Sequence, residues 1–334
     1  MIVTSNRKFG IEIEFVAPTP TALSKIRNNI TVVEDGSLRP LLNAGEYVSE
    51  PLKGKTGEET IRFACEVLKK HGASGDNPKT SVHLHLDGRI GQGTLRSSRT
   101  PAKTTESQIG VSNRLKQELG SENIMNLLLR RGLDMNTRIE WIESRFDNII
   151  YLSKAQLTSK PRLNYTYYYL DKPDRFEWMR NVFYFYTKFS DVMEAMVSDS
   201  RKFGNMYCIP LGKSYDCDRI AECNSMDSLK GVWYKGRPSA GHYDDSRYHN
   251  VNLHCFWDRH GTVEIRSHGG TIDPNKILLW LRLHQTIVDK LEEVKLEELV
   301  ALGNTPQEFI NFVGDGMLKD YIKRLLGFYS GIKI

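Results

Sequence analysis

Two short runs, far apart in the chain, constrain the fold most. They are Phe9-Gly10-Ile11-Glu12-Ile13-Glu14-Phe15 and Thr262-Val263-Glu264-Ile265-Arg266. Both alternate apolar and charged residues, which is the period of an extended strand. Side chains alternate across a strand, so Glu12 and Glu14 share one face while Ile11, Ile13 and Phe15 share the other. Glu264 and Arg266 are related in the same way. Charges on a packed sheet face are costly unless they are paired or bound to a cation. The expectation is a sheet with one face turned to a core and a charged, concave face that carries the chemistry.

Composition narrows the setting. With 334 residues, one large domain or two smaller ones fit the length. The formal charge of +5 suits an anionic small substrate and does not call for a nucleic-acid polymer. Five cysteines, an odd number, read as reduced thiols. The N-terminus has no signal-like apolar stretch and no run is long enough to cross a bilayer, so no membrane association and a cytoplasmic location are expected.

Along the chain, strands are expected at 8–15, 31–33, 45–50 and 81–86, with a helix over 58–71 between the last two. That order argues for an α/β or α+β fold with a mixed sheet. Residues 91–106 read as a loop. Helices are expected at 121–131, 138–152 and 175–197, so 107–200 reads as a helical insertion within a single domain spanning 1–334. Residues 248–257 and 262–268 read as a hairpin, and Pro274 opens a helix over 275–291. The tail, 306–328, is helical.

Polar residues gather on the expected strands or at their ends: Glu12 and Glu14, Asp35 in an Asp-Gly-Ser turn, Glu46, His83 and His85, Arg247 with Asn250 and Asn252, and Glu264 with Arg266. Carboxylates with imidazole, lacking a thiolate set at metal-binding spacing, suit Mg2+ or Mn2+ better than structural zinc. Such ions commonly hold nucleotide phosphates, and Arg247 and Arg266 would then face developing phosphate charge.

These stretches carry a family resemblance. FGIEIEF, EDGS, GEYVSEPL, SVHLHLDG, RYHNVNLH and TVEIRSHGGTIDPNKILLW resemble, in order, the amidoligase family of the glutamine synthetase and glutamate–cysteine ligase superfamily. The resemblance selects α+β and implies an antiparallel sheet curved into a cup, with helices on its outer face and ATP entering from one end. It implies Glu12, Glu14, Glu46, His85 and Glu264 as metal ligands. His83, His85, Asn252 and Arg266 fall to the nucleotide, with Arg266 on the transferred phosphoryl. Asp35 or Glu46 would take a proton from the amine, and Arg247 would stabilise charge. The implied reaction is ATP-dependent joining of a carboxylate and an amine through an acyl phosphate, with Mg2+ or Mn2+ as cofactor. A peptide or protein end is one plausible substrate. No cysteine nucleophile is needed.

Other patterns are weaker. Gly54-Lys55-Thr56 lacks the earlier glycine of a phosphate-binding loop, since Ser49 stands there. Cys208, Cys217 and Cys223 lack the tight spacing of a zinc knuckle. A guanidine kinase-like phosphotransferase on the same cup, or an inactive scaffold that keeps it, remain alternative readings.

Overall fold

The computed structural model describes residues 2–39, 41–88, 175–202, 204–241, 244–258 and 261–334, together with the backbone of four further strands. The chain divides into two compact units, Met1–Ile90 with Arg175–Ile334, and Gly91–Asp174. Ten strands are assigned among these residues. They are β1 (Phe9–Val16), β2 (Val32–Val33), β3 (Ala44–Val48), β4 (Ser81–Asp87), β5 (Thr94–Ser98), β6 (Arg138–Glu143), β7 (Ile149–Lys154), β8 (Tyr165–Asp171), β9 (Val251–Asn252) and β10 (Thr262–Gly269).

The first unit is built on an open six-stranded sheet in the order β2-β3-β1-β4-β10-β9. Every neighbouring pair is antiparallel. Its apolar face is the one the alternation specified. Phe9, Ile11, Ile13, Phe15, Val82, Leu84, Leu86, Val263 and Ile265 are all buried. They share one core with helix Gly54–Lys70, through Ile61, Ala64, Cys65 and Leu68, and with helix Pro274–Lys290, through Ile277, Leu278, Leu281 and Val288. The latter helix starts where Pro274 places it, with the Asp273 carboxylate accepting from the Asn275 N–H at 2.9 Å.

Helix Phe176–Lys188 is buried on nearly every side, so it is a core element more than an amphipathic flank. It stops at Phe189, and Ser190–Ala195 follows as a separate short helix. Both belong to the first unit. The tail forms Pro306–Val313 and Gly316–Ser330, separated by Gly314 at φ +75°. In the turn after β10, a Cβ on Gly270 would come within 2.2 Å of the Gly75 carbonyl oxygen, so this glycine serves close backbone packing.

Expectations are corrected in two regions. The stretch 138–152 is not a helix but β6 and β7, paired with Glu140 opposite Leu152. Its Ile, Trp and Tyr content favours a pleated surface. With β8 and β5 these strands form a four-stranded antiparallel sheet in the order β5-β8-β7-β6 in the second unit. A strand, 94–98, also lies within the stretch read as a loop. The expected helix over 121–131 lies outside the described residues. Second, 248–257 does not form one long strand. After two residues of β9 the chain turns into helix His254–Asp258. The Asn252 side chain explains the break, because its Oδ1 accepts from the His254 N–H at 2.9 Å and so starts the helix.

A buried cation ties the entry of β1 to the core. The Arg7 side chain is fully buried, pairs with Asp289 at 2.6 Å and Glu292 at 2.7 Å, and donates to the Asp87 carbonyl. The Trp178 ring lies 5.3 Å from its guanidinium carbon. Asp289 and Glu292 reach solvent and Glu292 keeps Arg175, so the loss falls on the packing of the buried Arg7 side chain and on the Asp87 carbonyl, which loses the Arg7 donor. Arg7→Leu should therefore lower stability by about 1–2 kcal/mol, measured as a shift of the urea midpoint at constant slope.

Two buried histidines set an acid limit. His284 accepts from or donates to the Tyr186 hydroxyl at 2.7 Å, and its Nε2 has no hydrogen-bond partner. Burial pushes His284 down to about 3 and His249 down to about 4, from an ordinary value of 6.5. The unfolded chain therefore binds protons that the folded chain refuses. Their contribution is complete above pH 6.5 and is lost as pH falls towards the folded values. Unfolding free energy should drop by about 2 kcal/mol per histidine between pH 7 and pH 5, read by urea titration at each pH.

Candidate functional site

The polar face of the sheet is assembled by register. On β1, Glu12 lies opposite His83, Gly10 opposite His85, and Glu14 opposite Glu46 of β3. On β10, Glu264 lies opposite His85 on one side and Asn252 on the other. Strand alternation then puts Glu12, Glu14, Glu46, Ser81, His83, His85, Asn252 and Glu264 on one surface. Arg266 joins them beyond Glu264, within the bulge that shifts the β10 register between Ile265 and His268.

Glu12 bridges both histidines. Its Oε2 is 2.9 Å from His83 Nδ1, and its Oε1 is 3.2 Å from His85 Nε2. Ser81 extends the chain, donating to Glu14 at 2.7 Å and lying 2.9 Å from His83 Nε2. Glu264 is held from three sides. Asn252 Nδ2 donates to its Oε2 at 2.6 Å, the Cys255 thiol donates to the same oxygen at 3.2 Å, and Arg266 Nη1 donates to Oε1. Thr262 Oγ1 lies 3.1 Å from His85 Nδ1 and steadies that ring.

The carboxylates divide into two electrostatic kinds. Burial alone would raise all four. For Glu12 it is outweighed by the charge and hydrogen bonds of His85 and His83, which hold this acid well below its usual range. For Glu264 burial is outweighed by Arg266, His85 and His83, which bring it down to about 2. Glu14 stays raised by burial, only partly offset by His83 and Ser81. Glu46 is the extreme: burial, then the charges of Glu12, Asp35, Glu14 and Glu264, push it up to about 9. His85 moves up, burial being outweighed by Glu12.

The donor set fits divalent cations. Three overlapping groups have ligand atoms within 4.8 Å of one another: Glu14, Glu46 and His83; Glu12, His83 and Glu264; His85, Cys255 and Glu264. In the first two, two carboxylates accompany one imidazole, a donor set open to Mg2+ or Mn2+. The acidic charge that adds to burial in raising Glu46 is an excess that a bound cation would neutralise.

Two named residues lie elsewhere than the strands. Asp35 caps the turn Gly36–Leu38, accepting from the Ser37 N–H at 2.9 Å and from its hydroxyl. It follows β2, whose Val33 pairs with Glu46, and its charge reaches both Glu46 and Glu14. Arg247 is on the short 3-10 turn Asp245–Tyr248, not on a hairpin strand, with its guanidinium carbon 5.1 Å from the Tyr248 ring centre. Asn250 serves structure, its Oδ1 accepting from the Leu211 N–H at 3.2 Å.

Three residues escaped sequence reasoning. Ser81 opens the His-x-His strand two residues before His83, so strand alternation was a usable signal. Arg201, buried beside the face, donates to the Thr80 carbonyl and offsets the Glu14 charge. Cys255 was read as a bystander, yet its thiol contacts Glu264. Neither has a strand pattern to betray it, since both lie on short helical turns outside the sheet ladder.

Glu46 offers a direct test of the electrostatics. In the fold this acid keeps its proton up to about 9, whereas unfolded it loses it near 4.5. Its contribution is therefore present at low pH and lost as pH rises from 4.5 towards 9. Glu46→Gln should remove that slope. In chelator-treated protein at pH 8 the variant should be more stable than the parent by about 1–2 kcal/mol, with the gap closing by pH 5. Parallel pH profiles of urea stability would contradict the assignment.

Comparison with known proteins bears on the late half of this face. No curated protein and no solved structure matches the chain. Residues 171–288 match the family described as "putative amidoligase enzyme". The match takes in Arg201, Asn252, Cys255, Glu264 and Arg266 and leaves out β1, β3 and β4. Over that segment the chain is similar to a family of ligase-type enzymes.

Proposed function

We propose that the protein is an ATP-dependent ligase that joins a carboxylate to an amine. The observation that carries this reading is the convergence of four carboxylates and two histidines on one sheet face, with the Arg266 guanidinium on Glu264. The family similarity supports the same class. In the same reading the open antiparallel sheet is a cup of the glutamine synthetase type.

In this reading Glu12, Glu14, Glu46, His85 and Glu264 hold Mg2+ or Mn2+, which would neutralise phosphate oxygens. His83, His85 and Asn252 line the nucleotide side. Arg266 is aimed at the phosphoryl group as it passes from ATP to the substrate carboxylate, where a planar guanidinium stabilises spread negative charge. The acyl phosphate then meets the amine nitrogen, and the C–N bond forms as phosphate leaves. Asp35, at the rim beside Glu46, accepts the amine proton. Arg247, outside the strand ladder, contributes positive potential near the phosphates. No protein nucleophile takes part. The two substrates are a carboxylic acid and an amine, with a peptide or protein end as a candidate for either.

The test is ATP turnover with Mg2+ against pooled acids and amines, with products weighed by mass spectrometry. Expected is phosphate release that needs both partners, and a product lighter than their sum by one water. Glu264→Gln should lower the rate by at least about 100-fold with the fold intact by circular dichroism. Phosphate transfer to a single substrate, without joining, would replace the ligase by a kinase. Unchanged thermal stability with ATP and Mg2+, combined with no turnover, would leave a scaffold.

A further inference from the structure

No thiol set stands at metal-binding spacing in the sequence, yet the fold brings the Cys255 thiol onto Glu264. Cys255 lies nine residues before Glu264 and sits in the first turn of helix His254–Asp258. There its Sγ lies 3.2 Å from Glu264 Oε2, and Asn252 Nδ2 reaches the same Sγ at 3.2 Å. A ring nitrogen of His85 completes a set of three donor atoms within 4.8 Å of one another. We propose that His85, Cys255 and Glu264 form a zinc site of mixed nitrogen, sulfur and oxygen donors, at one end of a face whose other end takes oxygen-loving cations.

Chemistry separates this group from its neighbours. Mg2+ takes oxygen and does not take thiolate, whereas zinc is borderline-soft and accepts all three donor types. Neutral imidazole, thiolate and carboxylate together carry two negative charges, which match a divalent ion. Three protein donors leave a fourth tetrahedral position open, the pattern of a reactive rather than a purely structural site. The supporting shell is also present. Asn252 donates to both the sulfur and Glu264, and Arg266 donates to the other Glu264 oxygen. Each His85 nitrogen has a partner, Thr262 or Glu12, so either one can bind while the other orients the ring. Binding displaces the thiol proton to solvent and replaces the S–H to Glu264 hydrogen bond by metal–sulfur and metal–oxygen bonds.

The site shares His85 and Glu264 with the metal ligands of the ligase reading and refines which cation they take, while its thiolate signature is read apart from turnover. It is tested by adding Co2+, a spectroscopic substitute for zinc, to chelator-treated full-length protein. Expected is a near-ultraviolet thiolate-to-cobalt charge-transfer band at one equivalent, with visible bands of tetrahedral intensity. The band should disappear in Cys255→Ser and persist in Cys208→Ser, whose thiol lies off this group. Excess Mg2+ should leave it in place, and one equivalent of Zn2+ should erase it. Competition with a chromogenic chelator should show zinc affinity falling by at least about 10- to 100-fold in Cys255→Ser. Absence of the band in the parent protein, or its survival in Cys255→Ser, overturns the site. Loss of ATP-dependent joining with the band intact would count against the ligase and leave the zinc site standing.

Discussion

The bridge from Glu12 to His83 and His85 is the interaction on which the polar face depends. Glu12 sits on the central β1 and reaches two residues of β4 that alternation puts on its own side. Without that bridge, a buried carboxylate would lie beside Glu14, Glu46 and Glu264 with nothing to hold its charge. With it, the negative charge on Glu12 and the proton on His85 stabilise each other, and the strand pair keeps one register. A one-residue slip would drive Glu12 and Glu14 into the core and Ile11 and Ile13 onto the site. Fold and site are therefore specified by the same residues.

The face is not uniformly relaxed. Glu12 and Glu264 have cationic neighbours and stay ionised, whereas Glu46 is pushed towards its neutral form by burial and then by the like charges around it. A sequence selected only for stability would not gather four acids there, because apolar or amide replacements avoid both desolvation and repulsion. Carboxylates kept at such a cost point to a ligand that binds the folded state and offsets it. The surrounding scaffold tolerates this because the opposite sheet face and the helices on it form a continuous apolar core, and because Arg7 pins the start of β1 through a separate buried network.

Much of this was legible from the chain. Period-two alternation in 9–15, 81–86 and 262–266 identified the strands, the core side and most of the polar face. The helix after Pro274 was equally plain. Reading failed where a local pattern admits two outcomes. The stretch 138–152 has apolar residues spaced for either a helix or paired strands, and only its β-branched and aromatic content leaned towards the latter. At 248–257 the alternation continues past the point where the strand ends. There the Asn252 side chain competes with the ladder for the backbone and starts a helix.

That same competition explains why Cys255 could not be found from sequence. On a continuous strand, Asn252 and Cys255 would point to opposite faces, and a cysteine beside Glu264 would be excluded. Helix His254–Asp258 removes that constraint, and one asparagine then does three things. Its oxygen starts the helix, and its amide nitrogen holds both Glu264 and the sulfur that the helix delivers. The break in the strand is thus the feature that adds a soft donor to an otherwise hard-donor face. An Asn252 replacement that kept the strand extended would restore the alternation and lose the thiol. The irregular residue, more than the regular pattern around it, decides which metals the face can distinguish.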